Sequence, residues 1–365
     1  MSCLLITGGA GFIGSNYVHL KAQGEHRLIV ADALHYAGRR EYLQPLIDSG
    51  RITFIQADIR DTDLMTQIIE REQVNAVVNF AAHTHVDRSI SDPAPFYQNN
   101  VEGTCSLLTA ALRVFVEQGR GGRYHQVSTD EVYGTLGPDD PAFTELTPFA
   151  PNSPYSASKA SADHFVRAFH VTYGLDTTIS HCSNNYGPYQ FPEKLLPLAL
   201  SRLLYGEKIP VYGDGQQRRD WLYVGDHCRG IDLILEHGRS GERYNIGGGV
   251  EISNLQFLRA LYQTLCTVMA EHPRLAERYP HFFAAGAAKA AGAQAGSFDP
   301  GLVPDFVAVV EHVTDRKGHD RRYALCDDKV RTELGYRPQM DFARGLKHTV
   351  LWYIEHDLDW HIFNA

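Results

Sequence analysis

Between residues 7 and 14 the chain reads Thr-Gly-Gly-Ala-Gly-Phe-Ile-Gly, and this run leaves few folds open. It follows a short apolar stretch, Leu4-Leu5-Ile6, and leads into residues 15–23, whose spacing predicts a helix. Gly8, Gly11 and Gly14 suit a tight strand-to-helix turn in which backbone N–H groups approach a pyrophosphate at the helix N-terminus. The GxxGxxG spacing is loose by itself; a strand before it and a helix after it give it meaning. A second apolar run, residues 27–31, ends at Asp32, 24 positions beyond Gly8. A carboxylate there accepts hydrogen bonds from the adenosine ribose hydroxyls and repels a 2′-phosphate. NAD is therefore expected over NADP, with Arg39 and Arg40 the residues that would argue for a phosphate.

The alternation continues. Residues 52–57 read as a third strand ending in Asp58-Ile59, where the acid either meets the adenine amino group or caps a helix over 61–71. Residues 76–80 form a continuous apolar run of the kind buried in parallel sheets, and Ala81-Ala82 after it let a cofactor pass close. A helix is expected over 99–117, a strand over 124–128, and a helix from 155 to about 172 with Ala162, Phe165, Val166 and Phe169 as its apolar face. Residues 177–181 form the next strand, and 183–189 a polar loop. This order predicts an α/β fold: a Rossmann-type doubly wound parallel sheet over 1–182, with later segments returning to it. A smaller mixed α/β C-terminal substrate domain takes mainly 183–365. Within it, an Ala-rich insertion at about 270–308 reads as a helical or partly disordered surface excursion.

A net charge of −9 argues against a general nucleic-acid or anionic-membrane binder. No apolar run approaches the ~20 residues that span a bilayer, and the N-terminus reads as a strand, not a signal peptide. Six scattered cysteines without a CxxC pair point to free thiols in a reducing cytoplasm and give no spacing for a metal site.

Two stretches carry chemistry. Ser128-Thr129-Asp130-Glu131 delivers a hydroxyl and two adjacent acids at the C-terminal end of a strand, where open α/β sheets bind ligands. Tyr155 and Lys159 stand one helical turn apart, so they share a face. An ammonium beside a phenol is expected to lower the tyrosine pKa and make a base for a sugar hydroxyl. Residues 216–221 set Arg218 and Arg219 beside Trp221, and residues 315–322 form a dense basic cluster; either could clamp a diphosphate.

Taken together, the glycine run, His85-Val86-Asp87-Arg88-Ser89-Ile90, Ser128 to Gly134, Tyr155 to Lys159, Ser183 to Tyr189, Phe191 to Leu195, Arg219 to Val224 and Gly318 to Tyr323 resemble the extended short-chain dehydrogenase/reductases. Within that superfamily the chain is most similar to the dTDP-glucose 4,6-dehydratases. The resemblance implies that Tyr155, assisted by Lys159, takes the proton of the sugar 4-hydroxyl while C4 is oxidised. Thr129 orients the 4-oxygen, Glu131 removes the C5 proton, and Asp130 protonates the departing C6 hydroxyl. It further implies dinucleotide contacts from Gly8, Gly11, Phe12, Ile13, Gly14, Asp32, Asp58, Ile59, Ala81, Ala82, Tyr155, Lys159 and Asn185. Nucleotide-sugar contacts would come from Thr84, Thr129, Asn184, Lys194, Leu195, Val211, Tyr212, Arg219 and His319, with Lys194 and Arg219 on the diphosphate. A homodimer built on the helices near 99 and 155 is expected. Four positions depart from the family pattern: His83 in place of Glu, His35 in place of a small hydroxyl residue, Asn99 in place of Thr, and Val250 where an Asn is expected. UDP-glucose stays open as substrate, and a UDP-glucose 4,6-dehydratase, an epimerase or a decarboxylase is the alternative activity.

Overall fold

The structure, a computed structural model, describes residues 2–279, 282 and 305–356. In chain order the strands are β1 (Cys3–Thr7), β2 (Arg27–Asp32), β3 (Ile52–Gln56), β4 (Ala76–Asn79), β5 (Arg123–Thr129) and β6 (Asp176–Cys182). They are followed by β7 (Asn184–Tyr186), β8 (Ile209–Tyr212), β9 (Arg218–Tyr223), β10 (Arg243–Ile246), β11 (Glu251–Ser253) and β12 (Val310–Val313). Among the described residues, seven strands form one sheet in the order β10-β6-β5-β4-β1-β2-β3. Every pairing in it is parallel. This is a Rossmann-like α/β fold, and the chain order reverses at the β1–β4 pair, where such sheets open a ligand crevice at their C-terminal ends.

Alternation along each strand feeds two cores. Leu4, Ile6, Val30 and Val78 pack on one face with Tyr17, Val18 and Ile231. Leu5, Ile29 and Val77 pack on the other with Met65, Ile68, Leu107 and Leu108. A third core lies beyond the sheet. There the helices Leu195–Leu204, Asn254–Glu271 and Phe342–Glu355 close around Tyr186, Trp221 and Phe257.

Several expectations are corrected. The first helix runs Phe12–Lys21, three residues earlier than its pattern suggests, because Gly11 caps it without a side chain. Asn184–Tyr186, read as loop, is a strand paired with β9. The helix expected over 99–117 begins at Ala94 and contains two π-helical stretches, Tyr97–Glu102 and Arg113–Glu117. Phe165 is exposed, whereas Ala162 and Val166 are fully buried, so the apolar face of Pro154–Tyr173 is narrower than predicted. The Ala-rich segment lies mostly outside the described residues. Its flanks are not a surface excursion: Tyr279, Phe282 and Phe306 are buried in the third core.

Candidate active site

The N-terminal turn is shaped for close approach. Gly8 has φ +68°, and a Cβ there would lie 2.5 Å from the Ala81 nitrogen. A Cβ on Gly14 would lie 2.3 Å from the Gly8 oxygen. With no side chain capping the helix at Gly11, its first N–H groups face the crevice. Gly8, Gly11, Asp32, Asp58, Ile59, Ala81 and Ala82 line one pocket, together with His35, Tyr36 and His83. Asp32 accepts from the Ala10 nitrogen (2.9 Å) and the Leu34 nitrogen (2.8 Å), which fixes both oxygens at the β2 end. Asp58 grips Arg60, and the helix cap proposed for it falls instead to Asp61, which accepts from the Leu64 nitrogen. His83 stacks on His35 with ring centres 5.2 Å apart, and burial pushes its pKa down to about 4. The glycine cradle, the free helix terminus and the acids at two strand ends fit a dinucleotide.

A second cavity, of about 250 Å³, continues from the first past Gly8 and Gly11. Phe12, Ile13, Gly14, Thr129, Asp130, Glu131, Tyr155, Lys159 and Asn185 line it. β5 delivers the hydroxyl and acids through a single turn, Asp130–Tyr133. A Ser153–Ser156 capping box with Pro154 starts the helix that carries Tyr155 and Lys159. Asp130 is buried, its Oδ1 accepts from Thr129 Oγ1 at 3.3 Å, and its Oδ2 has no hydrogen-bond partner. Burial, then the Glu131 charge, hold the Asp130 carboxyl well above the usual carboxylate range. Burial also raises Glu131, but Lys194 and Arg219 pull it back. The adjacent acids are thus held differently, Asp130 towards the neutral form. The expectation for Tyr155 is corrected. Burial and then the Glu131 charge raise its phenol well above the usual value, with only a hydrogen bond from Thr129 opposing them. Lys159 is itself lowered by burial, and its ammonium donates to the Val127 carbonyl at 2.8 Å.

A third cavity, of about 550 Å³, opens beyond Glu131. Thr84, Asn184, Lys194, Leu195, Val211, Tyr212, Arg219 and His319 all line it. Lys194 donates to the Thr84 carbonyl at 2.8 Å. Arg219 lies over the Tyr323 ring at 4.2 Å and donates to the carbonyls of Arg218 and Asp320, so part of its donor capacity is already engaged. Of the basic cluster at 315–322, Arg316 and His319 reach the cleft, Arg321 pairs with Asp214, and Arg322 pairs with Glu251. Among the lining residues that the sequence does not place at the site are Glu193, Asn254 and Arg316. Arg316, held by Asp87 at 2.8 Å, carried a signal in its cluster. Asn254 carried none; it stands at the start of a helix, while Val250 donates its N–H to Asp220 and does not line the cleft. Among the described residues no group of three or more His, Cys, Asp or Glu is set to hold a metal ion.

Fold and site together define a dinucleotide-dependent enzyme with a Tyr–Lys pair next to a carboxyl pair, and comparison with known proteins agrees with that class. The family model described as GDP-mannose 4,6 dehydratase matches residues 5–290. A dTDP-glucose 4,6-dehydratase from Xanthomonas campestris pv. campestris is 45% identical, over 97% of this chain and 93% of the relative. A crystal structure of a dTDP-glucose 4,6-dehydratase from Streptomyces venezuelae with NAD bound superposes with a TM-score of 0.81 at 44% identity, over 97% of each chain. A UDP-glucose 4-epimerase from Thermotoga maritima superposes at 0.77 with 27% identity, over 97% of this chain and 99% of that one. The chain belongs to the dTDP-glucose 4,6-dehydratase family of the extended short-chain dehydrogenase/reductases.

Proposed function

We propose that the protein converts dTDP-glucose to dTDP-4-keto-6-deoxyglucose. The observation that carries this is the sharing of one wall by two cavities: Thr84, Glu131, Asn184, Glu193 and Lys194 line both the inner cavity and the outer cleft. A hexose in the cleft would therefore meet the carboxyl pair and the Tyr155 phenol at once. NAD held by Gly8 to Gly14, Asp32 and Asp58 would supply a reversible two-electron acceptor, reduced at C4 oxidation and reoxidised at C6. In its phenolate form, which the Lys159 ammonium and the positive charge of a bound oxidised nicotinamide would favour against burial, Tyr155 takes the 4-hydroxyl proton, and Thr129 orients that oxygen. The new ketone acidifies C5, Glu131 removes the C5 proton, and the neutral Asp130 gives its proton to the C6 hydroxyl, which leaves as water; a proton is restored at C5 as C6 is reduced, which completes the 4-keto-6-deoxy product. Lys194, Arg219 and Arg316 supply positive charge to the diphosphate.

We further infer a homodimer, because both helices expected to pair carry exposed large apolar side chains. These are Tyr97 and Val116 on one and Phe165, Val171 and Tyr173 on the other. The cysteines are all unpaired, which supports a cytoplasmic setting, and no described helix is long and apolar enough to cross a membrane. The division near residue 182 is proposed as a domain boundary with β10 and the Val224–His237 helix returning to the sheet.

Incubation with dTDP-, UDP-, GDP- and CDP-glucose in parallel tests the assignment by the alkaline absorbance of the keto product. Product from dTDP-glucose is expected. Product surviving in Asp130→Asn/Glu131→Gln would refute the dehydratase assignment.

A further inference from the structure

Behind the carboxyl pair lies a buried polar chain that the proposed reaction does not use directly. Asp163, one helical turn past Lys159, points its carboxylate at two strands. Its Oδ2 accepts from Ser128 Oγ at 2.6 Å and faces His181 Nε2 at 3.1 Å. The other imidazole nitrogen, Nδ1, lies 3.1 Å from the Tyr133 hydroxyl, and Tyr133 donates to Asn245 Oδ1 at 2.9 Å. Both side chains of the Asp163–His181 pair are essentially inaccessible, at 1% and 0% exposure. Tyr133 and Phe149 wall the imidazole, with ring centres 5.1 and 5.6 Å away.

Hydrogen-bond counting fixes where the protons sit. The Asn245 amide nitrogen donates to the carbonyls of Phe143 (3.1 Å) and Cys326 (3.3 Å). Two carbonyl acceptors leave no choice of amide orientation, so Asn245 Oδ1 must accept the one hydroxyl proton of Tyr133. The Tyr133 oxygen can then only accept, and His181 Nδ1 must carry a hydrogen. A neutral imidazole in that tautomer would present a bare lone pair from Nε2 to a carboxylate oxygen. A proton therefore lies between Nε2 and Oδ2, on one atom or the other.

The two ends of the chain matter for function. Ser128 immediately precedes Thr129, and Tyr133 ends the turn that begins at Asp130. Both ends of the segment bearing Thr129, Asp130 and Glu131 are thus tied to one pair, and that pair is rooted in the helix that carries Tyr155 and Lys159. We infer that Asp163 and His181 are positioning residues which share one buried proton and fix the carboxyl-bearing turn at the correct distance from Tyr155. This deepens, and rests on, the dehydratase reading.

The test uses the full-length protein loaded with NAD. A one-dimensional proton spectrum should show a resonance downfield of the amide envelope, lost in Asp163→Asn. An asparagine nitrogen in the Oδ2 position has two hydrogens and can donate one to Ser128 Oγ and one to a neutral His181, so this variant should rescue turnover to within about threefold of wild type. Asp163→Ala and His181→Phe should lower kcat for dTDP-glucose about a hundredfold, the scale of a small misplacement of catalytic groups, with KM within about twofold. Wild-type kcat in Asp163→Ala, absence of the downfield resonance in wild type, or kcat no better in Asp163→Asn than in Asp163→Ala would each overturn the inference. If the alanine and phenylalanine variants do not fold, the resonance and the Asp163→Asn rescue decide it. If the wild-type protein does not turn over dTDP-glucose, the assignment of function falls, while the resonance and its loss still decide the shared proton.

Discussion

Replacing Asp130 by asparagine removes a transferable proton and keeps the shape of the side chain. Asp130 is 2% exposed, and its Oδ2 meets no partner, so an amide nitrogen can take that place while the amide oxygen still accepts from Thr129. The fold should stand. A positioned general acid contributes about 10²- to 10⁴-fold. At about 1.36 kcal/mol per decade this is roughly 2.7–5.5 kcal/mol of barrier, so kcat for keto-product formation should fall about a thousandfold. Tyr155 and Lys159 are untouched, so oxidation at C4 should continue. In single-turnover mixing with dTDP-glucose, absorbance of the reduced nicotinamide should rise and persist, and the alkaline signal of the product should be missing. Stability provides a second check. A carboxyl whose folded pKa is raised binds its proton more readily in the folded state, so its contribution to stability declines as pH climbs from the ordinary value to the raised one. The asparagine variant lacks that decline, and its thermal midpoint at pH 8 should not lie below wild type. Product turnover within about tenfold of wild type would refute the assignment of Asp130 as the acid. So would loss of nicotinamide reduction together with loss of product.

Gly14→Ala should weaken NAD binding by about tenfold or more in fluorescence titration, since the new methyl must displace the Gly8 and Gly9 backbone and not a flexible side chain. Arg316→Ala should raise KM for dTDP-glucose by about tenfold and leave kcat within about threefold, the pattern of a lost charge-assisted contact that is equal in ground and transition states. His83, lowered to about 4, is neutral in the fold and charged when unfolded between that value and 6.5. Its share of stability is complete above pH 6.5 and is lost as pH falls towards 4, so His83→Phe should flatten the acid side of a thermal-stability profile. Phe165→Asp should convert a micromolar dimer to monomer in sedimentation.

Much of the sheet was legible in the sequence. Strands β1 to β6 stand within a residue of their expected spans; for β1, β2 and β4 the reason is that continuous burial on both faces writes itself as a continuous apolar run. The start of the first helix was not, because Gly11 gives none of the side-chain capping that marks most helix starts. β7 was missed because three polar residues become a strand only by pairing with β9, far along the chain. At the site, every residue expected to touch the cofactor lines one of the two inner cavities. Every residue expected to touch the nucleotide sugar except Thr129 lines the outer cleft; Thr129 faces the inner cavity. Those residues occupy short local motifs. Asp163 and His181 stand 18 positions apart and are joined only through the packing of a helix on two strands, so no motif announces them. The direction of the Tyr155 shift was also illegible, because desolvation depends on everything packed around the phenol and not on the lysine one turn away.

The shared wall between the inner cavity and the outer cleft has a consequence for how such an enzyme lives with its redox partner. A dinucleotide held by the glycine turn, Asp32 and Asp58 would return to its starting oxidation state with each completed cycle, so the surrounding balance of oxidised and reduced pyridine nucleotides would not need to drive the reaction. The vulnerability is interruption. A sugar released midway, after C4 is oxidised and before C6 is reduced, leaves the protein loaded with the wrong redox form. Retention of the intermediate by the residues of that wall is then as important to sustained activity as the speed of any single step.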